Sequence, residues 1–97
     1  MMPVLHPLAR REFDEAADYY ELRQPGLGGE FEDEVAVTIQ RILCFPNAGT
    51  PFSRNTRRCL IRRFPYAILY QISEDKILIV AVMHVSRKPD YWADRLD

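Results

Sequence analysis

The sequence predicts an α+β domain, with an N-terminal antiparallel helical hairpin packed on a small, mainly antiparallel β-sheet of three to four strands. Three observations predict it. Apolar residues recur at helical spacing through the first half, in two blocks separated by Gln24-Pro25-Gly26-Leu27-Gly28-Gly29. From Arg57 to Trp92 the pattern changes to three strand-like segments, divided at Pro65 and at Ser73-Glu74-Asp75-Lys76. The whole chain is 97 residues, enough for one modest core, so residues 1–97 are expected to form a single domain.

Val4-Leu5 reads as a very short edge strand, and Pro7 suits the first turn of a helix that runs to about Arg23. Phe13, Ala16, Ala17 and Tyr20 stand at i, i+3, i+4 and i+7 and share one face of it. The second helix is expected from about Glu30 to Leu43, with Phe31, Val35, Thr38 or Ile39, and Ile42 as its apolar stripe. Glu30, Glu32, Asp33 and Glu34 crowd its first turn, where negative charge suits the helix dipole, and Arg41 lies near its end. So short a connection makes the two helices antiparallel. His6 reads as a surface residue.

Pro46 ends the second helix, and a loop through Ser53 leads to the sheet. Five arginines follow in ten positions: Arg54, Arg57, Arg58, Arg62 and Arg63. They suit either a charged edge strand or an anion-facing surface. The first long strand, Arg57–Phe64, alternates imperfectly, as an outer strand does. The second, Tyr66–Ile72, places Tyr66, Ile68, Tyr70 and Ile72 on one face. The third, Ile77–Val85, is apolar on both, with Ile77, Ile79, Ala81 and Met83 opposite Leu78, Val80 and Val82. A strand apolar on both faces is buried on both, so it is expected near the centre of the sheet. The helices cover one face. The other is expected to be an apolar groove rimmed by arginines and open to a partner.

Net charge is −1, but its distribution is uneven: residues 1–50 carry −5 and residues 51–97 carry +4. The basic half suits an acidic partner, unless the halves attract each other across the fold. No apolar run approaches the roughly 20 residues that span a bilayer, and no signal peptide is evident, so a cytoplasmic protein is expected. Cys44 and Cys59 lack metal-ligand spacing and read as buried thiols; no metal or other cofactor is expected.

Several stretches together carry a family resemblance. These are Glu15-Ala16-Ala17-Asp18-Tyr19-Tyr20, Pro25-Gly26-Leu27-Gly28, Arg63-Phe64-Pro65-Tyr66, Tyr70, and His84 with Arg87, Pro89, Tyr91 and Trp92. In this order they resemble the ParE/RelE toxin superfamily, above all its ParE-like, plasmid-stabilisation branch. The resemblance implies the toxin of a type II toxin–antitoxin pair, neutralised by a cognate antitoxin whose disordered tail folds along the toxin. It implies no direct sequence-specific DNA binding without that antitoxin, and no membrane partner. The partner surface expected from it comprises Arg58, Arg62, Arg63, Leu69, Val80, Arg87, Tyr91 and Trp92.

Two activities follow from the resemblance. ParE-like members bind DNA gyrase and trap its cleaved complex without a hydrolytic site of their own. RelE-like members cut messenger RNA on the ribosome by 2′-hydroxyl attack on the adjacent phosphate, which needs cations on the developing charge and a group that moves protons. The RelE pattern is only half kept here. Arg87 and Arg58 match, but Leu60, Ala67 and Ala93 stand where two cations and a tyrosine are expected. This favours the non-catalytic gyrase inhibitor. A different nuclease set, Arg63, His84, Arg87 and Tyr91 with Arg62 beside them, is the enzymatic alternative. The plainer roles are a strand-end histidine bonded to a neighbour for His84, and an aromatic plug packing the tail onto the sheet for Tyr91-Trp92. A relic that binds its antitoxin but has lost toxicity is the third possibility.

Overall fold

The chain is described by a computed structural model that covers residues 1–96. It contains β1 (Met2–Leu5), α1 (Pro7–Arg23), α2 (Leu27–Cys44), β2 (Thr50–Pro51), β3 (Arg57–Leu60), β4 (Tyr66–Ile72) and β5 (Lys76–His84), with single 3₁₀ turns at Pro46–Ala48 and Ala93–Arg95. The expected α+β architecture is found, with five strands instead of three to four, in the order β1-β5-β4-β3-β2. β1 runs parallel to β5 and every other pairing is antiparallel. The extra strand is β2, two residues long, inside the stretch expected to be loop.

Local chemistry sets the helix limits. His6 accepts the Leu8 N–H on Nδ1 at 3.1 Å and so caps α1, a structural role for a residue expected only to face water. The hairpin turn is tighter than expected, because Gly28 and Gly29 join α2. Gly26 takes φ 92°, a left-handed conformation that glycine adopts at no steric cost. The Glu21 carboxylate then reaches across to accept the N–H groups of Gly26 and Gly28 at 3.0–3.1 Å. The helices come so close there that a Cβ on Gly28 would lie 2.6 Å from the Ala17 carbonyl oxygen.

The expected helix faces are buried. Ala16, Ala17, Phe31, Val35 and Ile42 pack on Ile68, Tyr70, Ile77, Ile79 and Val82 of the sheet. An aromatic group fills the end near Pro65: the Phe64 ring stands edge-on to Phe31 (5.2 Å) and Tyr20 (4.8 Å). The Tyr70 hydroxyl donates to the Pro46 carbonyl at 2.7 Å and accepts the Gly49 N–H at 3.1 Å, which ties the α2–β2 connection to the sheet.

Four expectations are corrected. β3 ends at Leu60 and not at Phe64, because the chain turns at once: Arg63 takes φ 73° and the Tyr66 N–H closes on the Phe64 carbonyl at 2.8 Å. In β5 the register slips, with Tyr70 opposite Ile79 and Leu69 opposite Ala81, so that Val80 is unmatched. This bulge shifts the alternation by one, and Ala81 and Met83 join Val80 on the face away from the helices while Val82 turns towards them. Finally, that second face is not an open groove. The chain's own tail closes it: Trp92 is fully buried against Leu69, Val80, Ala81 and Met83, with Phe52, Leu78, Tyr91 and Leu96 around it. The Trp92 indole donates to the Pro89 carbonyl at 2.7 Å, which satisfies its one polar atom. The two thiols also differ from expectation, Cys59 being half-buried and Cys44 exposed.

Ile79→Ala in the first core is expected to cost about 2–4 kcal/mol, and Trp92→Ala in the second about 3–5 kcal/mol. Thermal melting measures both. A Trp92→Ala variant that melts with the parent chain would mean the tail is not part of the folded core.

Candidate partner-binding groove

β5 is interior to the sheet, but β1 is shorter than it. The last β1 pairing is Leu5 with Ile79, and from there to His84 that edge of β5 has no neighbouring strand. Side chains take over its main chain. Arg95 donates to the Val80 carbonyl at 3.0 Å, and the Val82 N–H donates to Glu12 of α1 at 3.0 Å. Glu12 also accepts the Tyr91 hydroxyl at 2.6 Å and both terminal Arg95 nitrogens at 2.9 Å. Both charged side chains are nearly buried, Arg95 at 9% and Glu12 at 14% exposure. The bond to Glu12 pushes the Arg95 pKa up. Burial, then the bond to Glu12, pushes the Tyr91 pKa up, so its hydroxyl stays neutral.

Beside this junction lies a groove of about 190 Å³, walled by Glu12, Glu15, Ala16 and Tyr19 of α1 and by Tyr66, Val82, His84 and Arg87. His84 Nδ1 accepts the Ser86 N–H at 3.1 Å and lies 2.7 Å from the Ser86 hydroxyl. Nδ1 is thus the ring nitrogen turned to Ser86. The ring stands edge-on to Tyr66 at 5.1 Å. Arg87 is exposed, its guanidinium 4.0 Å from the centre of the Tyr91 ring.

The structure gathers His84, Arg87 and Tyr91 and leaves Arg63 out. Arg63 binds Glu30 at 2.6 Å and Glu34 at 3.9 Å at the start of α2. Arg62 is exposed in the turn after β3, and Arg58 lies over the Phe52 ring at 5.4 Å. Arg57 donates through Nη1 to the Asn47 and Gly49 carbonyls. Leu69, Val80 and Trp92 are fully buried, so none of them meets a partner while the tail is docked. Glu12 and Arg95 were missed. Glu12 lies three residues after Ala9 and four before Ala16, within the apolar stripe of α1, and a carboxylate placed there calls for a buried cation.

Glu12→Gln would leave Arg95 buried without its counter-charge, and a loss of about 3–5 kcal/mol is expected in denaturant unfolding. A loss below about 1 kcal/mol would mean that the pair is worth no more than a surface one.

Comparison with known proteins agrees with this architecture. Residues 4–89 match the family described as "ParE toxin of type II toxin-antitoxin system, parDE". Y4kP of Sinorhizobium fredii (strain NBRC 101917 / NGR234), whose name marks it as a candidate toxin, is 28% identical over 81 residues, which cover 82% of this chain and 83% of that protein. The fold is similar to a solved chain of the chromosomal ParDE TA system from P. aeruginosa, with a TM-score of 0.76, 15% identity, and coverage of 87% of this chain and 95% of that one. The chain therefore belongs to the ParE toxin family of type II toxin–antitoxin systems.

Proposed function

We propose that this protein is a toxin that acts by binding a protein target, DNA gyrase, and that a cognate antitoxin neutralises it. One observation carries the preference over RNA cleavage. Leu60 and Ala67, which stand where the RelE pattern has cations, are directly opposite each other on β3 and β4. A phosphate over that part of the sheet would meet exposed, apolar Leu60, with Ala67 buried beneath it, where its developing charge needs cations. The proton-moving groups are committed as well. The Tyr91 hydroxyl donates to Glu12, and Nδ1 of His84 is engaged by Ser86. Neither is placed as a free base for a 2′-hydroxyl. Gyrase as the target rests on the ParE-like resemblance.

The messenger-RNA reading keeps one observation in its favour: His84 and Arg87 line one groove, and the Arg87 guanidinium lies over the Tyr91 ring. Controlled expression separates the two. The gyrase reading expects an SOS response and double-strand breaks while translation continues, both absent in cells with a toxin-resistant gyrase. Rapid translation arrest with cleaved messages, abolished by Arg87→Ala, would overturn it. Unimpaired growth on expression would overturn it too, and would mark the chain as an antitoxin-binding relic.

A further inference from the structure

The groove beside α1 lies at the Tyr66 end of β4. At the other end, by Ile72, is a separate hollow of about 270 Å³, between the α2–β2 connection and the turn that joins β2 to β3. Phe52, Tyr70 and Ile72 give it an apolar lining, and Asn47, Asn55 and Arg57 a polar one.

This lining is held in place by the fold. Nη1 of Arg57 donates to the Asn47 carbonyl at 3.0 Å and to the Gly49 carbonyl at 2.8 Å. The Tyr70 hydroxyl bonds the same connection, and a Cβ on Gly49 would collide with it, so glycine is needed for so close an approach. On the opposite side the Thr56 N–H donates to the Ser53 carbonyl at 3.2 Å and closes a tight turn. Its central residues, Arg54 and Asn55, take φ 57° and 59°, a conformation that asparagine tolerates better than most. Gln71 Nε2 donates to the Arg54 carbonyl at 3.3 Å and ties this turn to the sheet.

The two bonds to the connection use both hydrogens of Arg57 Nη1. Nε and Nη2 have no partner among the described residues. That edge of a guanidinium is a two-pronged donor that matches the two oxygens of one carboxylate. The side-chain amides of Asn47 and Asn55, both exposed, have no partner among the described residues either. No acidic side chain lines the hollow. The nearest acids after Ile72, Glu74 and Asp75, belong to the turn between β4 and β5. Arg54, Arg57 and Arg58 form no ion pair among the described residues.

The occupant is therefore anionic, and its shape follows from the rest of the lining. A nucleic-acid backbone is held by exposed cations in line with its successive phosphates. Arg57 is instead half-buried, offers one free edge, and has Phe52 and Ile72 beside it in the hollow. Such a site suits a carboxylate on a short methylene stem. We infer that the hollow takes an acidic side chain of the toxin's protein target, with the carboxylate on the free edge of Arg57. The inference rests on the reading of this chain as a protein-binding toxin, and it adds the place and chemistry of one contact.

The test titrates the full chain, followed by NMR, with N-acetylglutamate amide. N-acetylglutamine amide is the uncharged control and inorganic phosphate the competing anion. Saturable shifts of the Arg57 Nε–H and of the Asn47 and Asn55 side-chain amides are expected with the acid, and binding about tenfold weaker or less with the other two. Asn55→Asp places a like charge in the hollow in a residue type that suits the same backbone. It is expected to weaken binding of the acid and of purified gyrase by about tenfold or more, at unchanged melting temperature, and Asn47→Asp to act alike. The same charge change in the helical hairpin turn, Gln24→Glu, is expected to alter neither by more than about twofold. No response to the acid, or tighter binding of phosphate, would overturn the inference, and gyrase binding by the parent chain would leave the proposed function standing. Gyrase binding that tolerates both variants would overturn the hollow as a target contact. A parent chain that does not bind gyrase would overturn the proposed function and this occupant with it.

Discussion

A single carboxylate joins the three parts of this molecule. Glu12 stands on the helical lid, bonds the main chain of β5, and holds the tail through Tyr91 and Arg95. Burying an ion pair costs several kcal/mol per ion in lost hydration, and only good geometry offsets it. Here the carboxylate accepts four hydrogen bonds and the guanidinium also satisfies a strand carbonyl. The pair replaces the strand neighbour that β5 loses when β1 ends.

The rest of the tail follows from that anchor. With Arg95 fixed, Trp92 sits on Leu69, Val80, Ala81 and Met83, and a sheet that would otherwise expose an apolar face gains a second small core. The Val80 bulge belongs to the same arrangement. It turns Ala81 and Met83 towards the tail and Val82 towards the helices, and it brings the Val82 amide within reach of Glu12. The surface left over is smaller and more polar than an open groove, and it lies along the unpaired end of β5.

The electrostatic asymmetry of the chain resolves in the same way. The acidic and basic halves meet in the Arg63 bridges to Glu30 and Glu34 and in the Arg95–Glu12 pair. Arg57 gives one of its terminal nitrogens to loop carbonyls. What remains for a partner is a few dispersed cations, among them Arg62 and Arg87. Cations spread in this way suit recognition of a protein better than stabilisation of a transferring phosphate, which needs charge converging on one point.

Local patterns were enough to fix the hairpin, its two apolar stripes, the antiparallel strands from β3 to β5 and the family, because each depends on residues close together in sequence. The tertiary structure alone decided what depends on distance along the chain. A bulge is invisible in a run of Ile, Leu, Val and Ala, because every phase of that run is apolar. The Glu12–Arg95 pair spans more than eighty residues, and nothing near either partner announces the other. The sequence supplied Trp92 as an aromatic with a plausible place on the sheet or on a partner. Only the folded chain, by anchoring the tail through that distant ion pair, placed it inside.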